Sequence, residues 1–240
     1  MLSLIFPKTY QKIKKDIDNQ NIRDIFIISQ LKKLPSGLDI LDAGCGKQPY
    51  KPYCGHLNYF AQDFNQYKID VTTTLLGDGL GGKEGYKYGK LDYVSDICNI
   101  PVPDNKFDVI LCTEVFEHIP YPHSAVEEFS RILKKDGILI LTAPSNSLRH
   151  MDPFYFYSGF SDRWFEKILK DNKFEIEEIQ TVGDYYQWIS VEIWRTLSLE
   201  KNIIKKIFLL ISFFYFYFKK STSESINTLS MGYHIIAKKM

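Results

Sequence analysis

The stretch Leu38-Asp39-Ile40-Leu41-Asp42-Ala43-Gly44-Cys45-Gly46 decides how the rest of the chain is read. A mostly apolar run over 38–42 fits a strand. The glycines that follow let the backbone turn sharply and approach a ligand with no Cβ in the way. Upstream, residues 1–34 are expected to be helical, with Ile13, Ile17, Ile25, Ile28 and Leu31 at helical intervals and Pro35-Ser36-Gly37 closing the stretch. Downstream, strands are expected at 58–63, 92–96, 107–113, 138–142, 174–180 and 232–238. Helices are expected at 124–133, stopped by Lys134-Lys135-Asp136-Gly137, and at 161–171. The run Phe-Asp-Val-Ile-Leu-Cys-Thr at 107–113 is nearly all apolar, as a strand covered on both faces of a parallel sheet must be. Alternating strands and helices make this an α/β chain of right-handed crossovers around an open, mostly parallel sheet.

Composition narrows the function classes. Thirty basic residues face 29 acidic ones, a net +1, so there is no basic excess to suggest a nucleic-acid partner. Hydrophobic residues make up 45% of the 240, which excludes a disordered chain. The cysteines, Cys45, Cys54, Cys98 and Cys112, include no CxxC pair, so neither a zinc site nor a redox dithiol is expected. Residues 1–10 show no signal-peptide pattern, and the expected compartment is the cytoplasm.

Charge is unevenly spread. From Lys201 onward there are seven lysines and one glutamate, +6, leaving −5 on the first 200 residues. This basic tail contains the run Ile-Phe-Leu-Leu-Ile-Ser-Phe-Phe-Tyr-Phe-Tyr-Phe at 207–218, fenced by lysine pairs at 205–206 and 219–220. As a helix it would span roughly 18 Å, too short for a hydrocarbon core of about 30 Å. Two occupations are open: a face packed on the core or on a second copy in a homodimer, or a peripheral contact of 203–220 with anionic lipid at the inner face of a membrane.

In open sheets of this kind ligands bind beyond the carboxyl ends of the strands. Those ends carry Asp42 to Gly46, Asp63, Asp96, Glu114 to His118 and the stretch from Pro144 to His150. Pro49 stands where a dinucleotide fingerprint needs a third glycine, and no Gly-Lys-Ser/Thr follows Gly46, so phosphate cradles are excluded. Asp63, seventeen residues past Gly46, can accept both hydroxyls of a ribose. Asp96 can accept from an exocyclic amine, with Ile97 offering an apolar face to a purine. Three acids at successive strand ends favour an adenosine site without phosphates.

On LDAGCG (41–46), Asp63, SDICNIPVPDNKFDVILCTEVFEHIP (95–120) and RILKKDGILILTAPS (131–145), the chain resembles the class I S-adenosylmethionine-dependent methyltransferases whose fourth strand ends in Glu-x-x-Glu-His. The resemblance runs from about residue 38 to 183 and resumes at 232–238. It implies a Rossmann-like, seven-stranded sheet with the last strand antiparallel. It also implies S-adenosylmethionine as cofactor, with S-adenosylhomocysteine as product. Asp42, Gly44, Cys45 and Gly46 would face its methionine part, Asp63 its ribose, and Asp96 and Ile97 its adenine, with Glu114 completing the cofactor set. The domains expected are a helical cap (1–37), the core (38–183 with 232–240) and a helical, apolar-basic insertion (184–231). That insertion, in place of the family's hairpin, is the main departure.

Methyl transfer to a hydroxyl needs a group that manages its proton, and His118 is the candidate catalytic residue. If a helix has begun by then, Glu114, Glu117 and His118 share one face. With His150, this spacing resembles metal-using O-methyltransferases. Magnesium prefers oxygen ligands, so it is the less favoured option and no metal is assigned. The aromatic stretch 150–157 would either stack on an acceptor, in a wall extended by Tyr185, Tyr186, Trp188 and Trp194, or form a lid packed on the core. The expected reaction is O-methylation of a small-molecule or glycan hydroxyl, with a lipid-linked sugar of envelope polysaccharide synthesis as one such acceptor. The alternatives are a quinone or phenol O-methyltransferase and a catalytically silent, membrane-peripheral cofactor-binding module.

Overall fold

A computed structural model describes residues 7–17, 19–67 and 87–240. The glycine-rich stretch of the sequence at 77–89 lies largely outside these residues. The described chain divides into two compact units, Phe26–Gln180 with Gly232–Met240, and Met1–Ile25 with Thr181–Met231.

The larger unit is built on a seven-stranded sheet. Its strands are β1 (Asp39–Ala43), β2 (Asn58–Asp63), β3 (Tyr93–Val94), β4 (Phe107–Thr113), β5 (Leu133–Pro144), β6 (Phe174–Val182) and β7 (Gly232–Lys239). They lie in the order β3-β2-β1-β4-β5-β7-β6, with β7 antiparallel to β5 and the other six parallel. The chain winds outward from β1 in one direction through β2 and β3, then returns to lay β4 on the other side of β1. The switch point where such sheets bind ligands is therefore the carboxyl end of β1.

Alternate residues of β4 serve two cores. Ile110 and Cys112 join Leu41 and Ala43 against Val126 and Phe129 of helix α3 (Pro122–Ile132) and Phe165 of helix α4 (Asp162–Asp171). Val109 and Leu111 join Ile40 against Phe26, Ile27 and Leu31 of helix α2 (Asn19–Lys33). Each buried Val, Leu, Ile or Phe among these contributes about 1.5–3 kcal/mol.

Several local expectations need correction. Among the described residues the expected helical stretch is divided into two helices, α1 (Pro7–Asp16) and α2. On α2 the core face is Phe26, Ile27 and Leu31, continued by Leu34 just past the helix, while Ile25 is 60% exposed, because it lies on a different side of the helix. The strand expected at 92–96 shrinks to Tyr93–Val94, since Asp96 turns the chain by accepting the Cys98 N–H at 2.8 Å. Lys134 to Gly137 do not stop a helix before a later strand. They lie inside β5, as an irregularity that shifts the register against β4 between Phe107↔Leu133 and Val109↔Ile138.

One ion-pair network fixes the segment after β3. Arg131 on α3 donates from Nε and Nη2 to both oxygens of the buried Glu128, at 2.8 and 2.7 Å, and further to the carbonyls of Val102 and Ile100. Glu128 in turn accepts the Ile100 N–H at 2.7 Å. Both fork and carboxylate are thus satisfied by a loop with no regular structure of its own.

The smaller unit contains α1, α5 (Tyr185–Leu199), α6 (Ile203–Tyr217) and α7 (Ser223–Thr228) around Ile13, Ile17, Val191, Phe213 and Met231. Buried Asp184 ties α5 to α7, accepting the Gln187 N–H at 2.8 Å and the Ser225 hydroxyl at 2.6 Å. Trp188 and Trp194 pack against this cluster, so their faces are used in a core rather than in an acceptor wall.

Removing the Arg131 fork would leave the Glu128 carboxylate buried with one N–H partner. Arg131→Leu is expected to lower unfolding free energy by about 2–4 kcal/mol. Urea unfolding checks this, and a loss below about 0.5 kcal/mol would reduce the network to an ordinary surface pair.

Candidate active site

The carboxyl ends of β1 and β2 lie side by side, with Ala43 paired to Gln62. The loop that follows β1 is stitched to β2 by its own amides. The Gly44 and Cys45 N–H groups both donate to the Gln62 carbonyl, at 2.9 and 3.0 Å, and Gly46 N–H donates to the Asp63 carboxylate at 3.0 Å. Gly44 has φ +71°, and a Cβ there would lie 2.5 Å from a methyl of Val115, so the position admits no side chain.

Asp63 is 5% exposed, and its carboxylate also accepts the Asn65 N–H at 3.2 Å. Burial raises its pKa, against the backbone amides that lower it. Each oxygen keeps a lone pair, enough for the two hydroxyls of a ribose.

The other strand-end acids are placed differently. Asp42 points to the sheet face of Ile40, where it accepts the Tyr59 hydroxyl; burial pushes its pKa up to about 7. Cys45 is buried, so its part in the loop is played by its backbone, and burial raises its thiol pKa. Asp96 is exposed and keeps a carboxylate oxygen for a donor, whereas Ile97 is 5% exposed and packs chiefly in the core. Glu114, at φ +52°, accepts the Thr142 hydroxyl at 2.9 Å.

No helix has begun at Glu114. A single 3-10 turn, Phe116–His118, carries the next groups, and α3 starts only at Pro122. Glu114 therefore does not share a face with His118. The groups that do converge are Glu117, His118 and His150, whose ligand atoms lie within 4.8 Å of one another.

His118 Nδ1 lies 2.7 Å from the Phe154 carbonyl, and His150 Nδ1 lies 2.8 Å from the Leu148 carbonyl. A carbonyl only accepts, so each Nδ1 must carry the proton and each Nε2 presents a lone pair. His118 Nε2 stands 3.6 Å from Glu117 Oε1. Burial, and then the neighbouring His150, lower the His118 pKa to about 4, so its ring is neutral at neutral pH. The same turn anchors the aromatic stretch after β5: the Glu117 carbonyl accepts the N–H groups of Phe156 and Tyr157. Phe154 meets Phe64 and Tyr67 edge to face, with ring centroids 4.9 and 5.2 Å apart, and Tyr67 lies 6.2 Å from the His118 ring. Sequence reasoning missed Phe64, Tyr67, Gln62 and Thr142, which come together only through folding.

Comparison with known proteins places a methyltransferase domain on this sheet. Residues 41–141 match the methyltransferase domain model Methyltransf_11. The fold is shared with a SAM-dependent methyltransferase from Archaeoglobus fulgidus, at TM-score 0.53 and 17% identity, covering 96% of this chain and 99% of that one. Residues 41–141 carry a methyltransferase domain, on the fold that class I S-adenosylmethionine-dependent methyltransferases share.

An uncharacterised protein of Methanocaldococcus jannaschii is 29% identical over 180 residues, 74% of this chain and 70% of its own length. A ubiquinone biosynthesis O-methyltransferase of Glaesserella parasuis is 29% identical over 87 residues, 36% of this chain and 35% of that enzyme. The fold also resembles the [4+2]-cyclase SpnF at TM-score 0.54 and 16% identity, covering 90% of this chain and 80% of that one, a reminder that architecture alone does not fix a reaction.

The methyltransferase's strand ends fit its cofactor: a loop closed to side chains at Gly44 and a buried carboxylate at Asp63 with lone pairs to spare. The cluster Glu117–His118–His150 also fits a divalent cation. Bonds of about 2.1 Å place tetrahedral donors about 3.4 Å apart. The Glu117–His118 pair already stands near that separation, and His150 would close the remainder. Two imidazoles with their far N–H groups held by carbonyls suit an ion of the zinc class better than magnesium.

The proton assignment is directly measurable. In ¹H–¹⁵N spectra at pH 7, His118 should show protonated Nδ1 and bare Nε2, with its titration midpoint near 4. Because the folded pKa lies below the ordinary 6.5, the unfolded chain binds more protons between those values, and stability rises with pH across that window. A His118 midpoint at or above 6.5 would contradict the burial argument.

Proposed function

We propose that the methyltransferase is an O-methyltransferase acting on a ring-bearing small-molecule hydroxyl, with a phenolic acceptor favoured. The observation that carries this reading is the pair of Nε2 lone pairs on His118 and His150 beside the Glu117 carboxylate.

Asp63 would accept the ribose hydroxyls, and the loop at Gly44 to Gly46 would lie along the methionine part. Asp96 would accept from the adenine amine, with Ile97 at its edge. S-adenosylmethionine held there would supply a sulfonium methyl in line with the acceptor oxygen, the O–CH₃ bond replacing the C–S bond and the bonding pair staying on sulfur as S-adenosylhomocysteine. The hydroxyl proton passes to the Glu117–His118–His150 cluster, where the Nδ1–H bonds hold both rings in the accepting tautomer. A cation bound there would occupy those lone pairs and act instead by lowering the pKa of the hydroxyl, whose proton would then leave to solvent.

An imidazole whose pKa is about 4 is a weak base. A phenol, with a pKa of about 10, is far closer to its reach than an unassisted alcohol. The aromatic edges of Phe64, Tyr67 and Phe154 near His118 suit a planar ring. A sugar hydroxyl, including a lipid-linked one, is the second reading. It rests on the aromatic stretch after β5 and needs the cation more.

Turnover on matched phenolic and sugar acceptors tests the proposal. Phenols should be methylated and sugars not, His118→Ala and His150→Ala should each lower kcat by about 10²–10³-fold, and binding of S-adenosylhomocysteine should be unchanged. Cofactor binding with no transfer to either class would favour the silent module.

A further inference from the structure

Helix α6 buries one side and leaves the other bare. Phe213 is fully buried in the smaller unit's core, whereas Ile204, Ile207, Phe208, Ile211, Tyr215 and, just past the helix, Phe218 are 48–73% exposed. At about 100° per residue these six side chains fall within roughly 100° of arc, a single stripe along the helix. A soluble monomer's largest contiguous apolar patch is typically about 300–600 Å². Six large side chains about half to three-quarters exposed reach or exceed that.

The stripe has a charged frame of one sign. Residues 201–223 contain Lys201, Lys205, Lys206, Lys219 and Lys220 and no acid. The whole unit carries eleven basic and seven acidic residues, against 19 and 22 in the larger unit. The nearby acids are engaged: Asp16 with Lys12 and the Tyr217 hydroxyl, and Glu192 with Arg195. Glu200 is held by the amides of Lys201 and Asn202. Among the described residues no helix is long and apolar enough to cross a membrane.

We infer that α6 is an in-plane docking element for an anionic lipid surface, its stripe entering the acyl boundary while the lysines at both ends reach the headgroups. Long lysine stems allow that division between apolar body and charged tip. An isologous pairing of two copies is disfavoured by the same charge. It would bring the five lysines of each copy together with no carboxylate in the segment to meet them. The inference is independent of the acceptor's identity.

Vesicle co-sedimentation of the full chain tests it, using phosphatidylcholine alone and phosphatidylcholine with phosphatidylglycerol. Binding to the anionic vesicles should exceed binding to the neutral ones by at least ~10-fold and weaken with salt. The double variant Phe208→Ser with Ile211→Ser should lose binding while keeping the wild-type thermal midpoint, since both side chains are exposed. Lys205→Gln with Lys206→Gln should lose the preference for phosphatidylglycerol. Absence of vesicle binding by the intact chain, or binding retained by the serine variant, would overturn the inference. So would a wild-type dimer, seen by light scattering, that the serine variant converts to monomer with vesicles ignored throughout; the stripe would then be a contact between copies.

Discussion

The hydrogen bond from Gly46 N–H to the Asp63 carboxylate, with the two amides that bind the Gln62 carbonyl, holds the end of β1 against the end of β2. These contacts fix a glycine turn at the sheet's switch point and aim a buried carboxylate beside it. A turn held only by solvent would leave Asp63 free to rotate away. The sheet order supplies the rest, because β4 on the far side of β1 brings Val115 against Gly44 and closes the loop to any side chain. On the proposed reading, cofactor affinity would be tied to strand pairing rather than to a mobile loop.

The Glu117–His118–His150 cluster is carried by the segments that follow β4 and β5. The 3-10 turn after β4 presents Glu117 and His118, and the stretch after β5 returns a carbonyl to His118 and amides to the Glu117 carbonyl. Tautomer, ring orientation and aromatic wall are set by one exchange of backbone bonds. Burial that makes His118 a poor base also removes water from its lone pair, which favours a hydrogen bond from a weakly acidic hydroxyl or a bound cation.

Much of this was legible in the sequence where the signal is local. The strands at 58–63 and 107–113, the turn at Gly44 and Gly46, and Asp63 at the end of its strand follow from periodicity and glycine placement. What was not legible depends on partners far along the chain. Glu114 and Glu117 differ by three residues, as on a helix, yet the backbone at Glu114 is left-handed and only Glu117 reaches the histidines. The Arg131–Glu128 clamp acts on a loop nearly 30 residues upstream, which no spacing rule announces. Lys134 to Gly137 look like a helix stop, and β4 pairing draws them into a strand. The apolar run at 207–218 left core and surface open, because periodicity cannot say which face a neighbour covers; burial of Phe213 alone, with Phe208 and Ile211 exposed, divides it.

The central claim is that Asp63 reads the cofactor's ribose from a position fixed by strand pairing. Calorimetric titration of S-adenosylhomocysteine into the intact chain and into Asp63→Asn tests it most directly, because Asn can still accept the Gly46 N–H and keep the turn. The account predicts micromolar binding by the intact chain and a loss of about 10- to 100-fold in the variant at unchanged thermal midpoint. Equal affinity in both would contradict it.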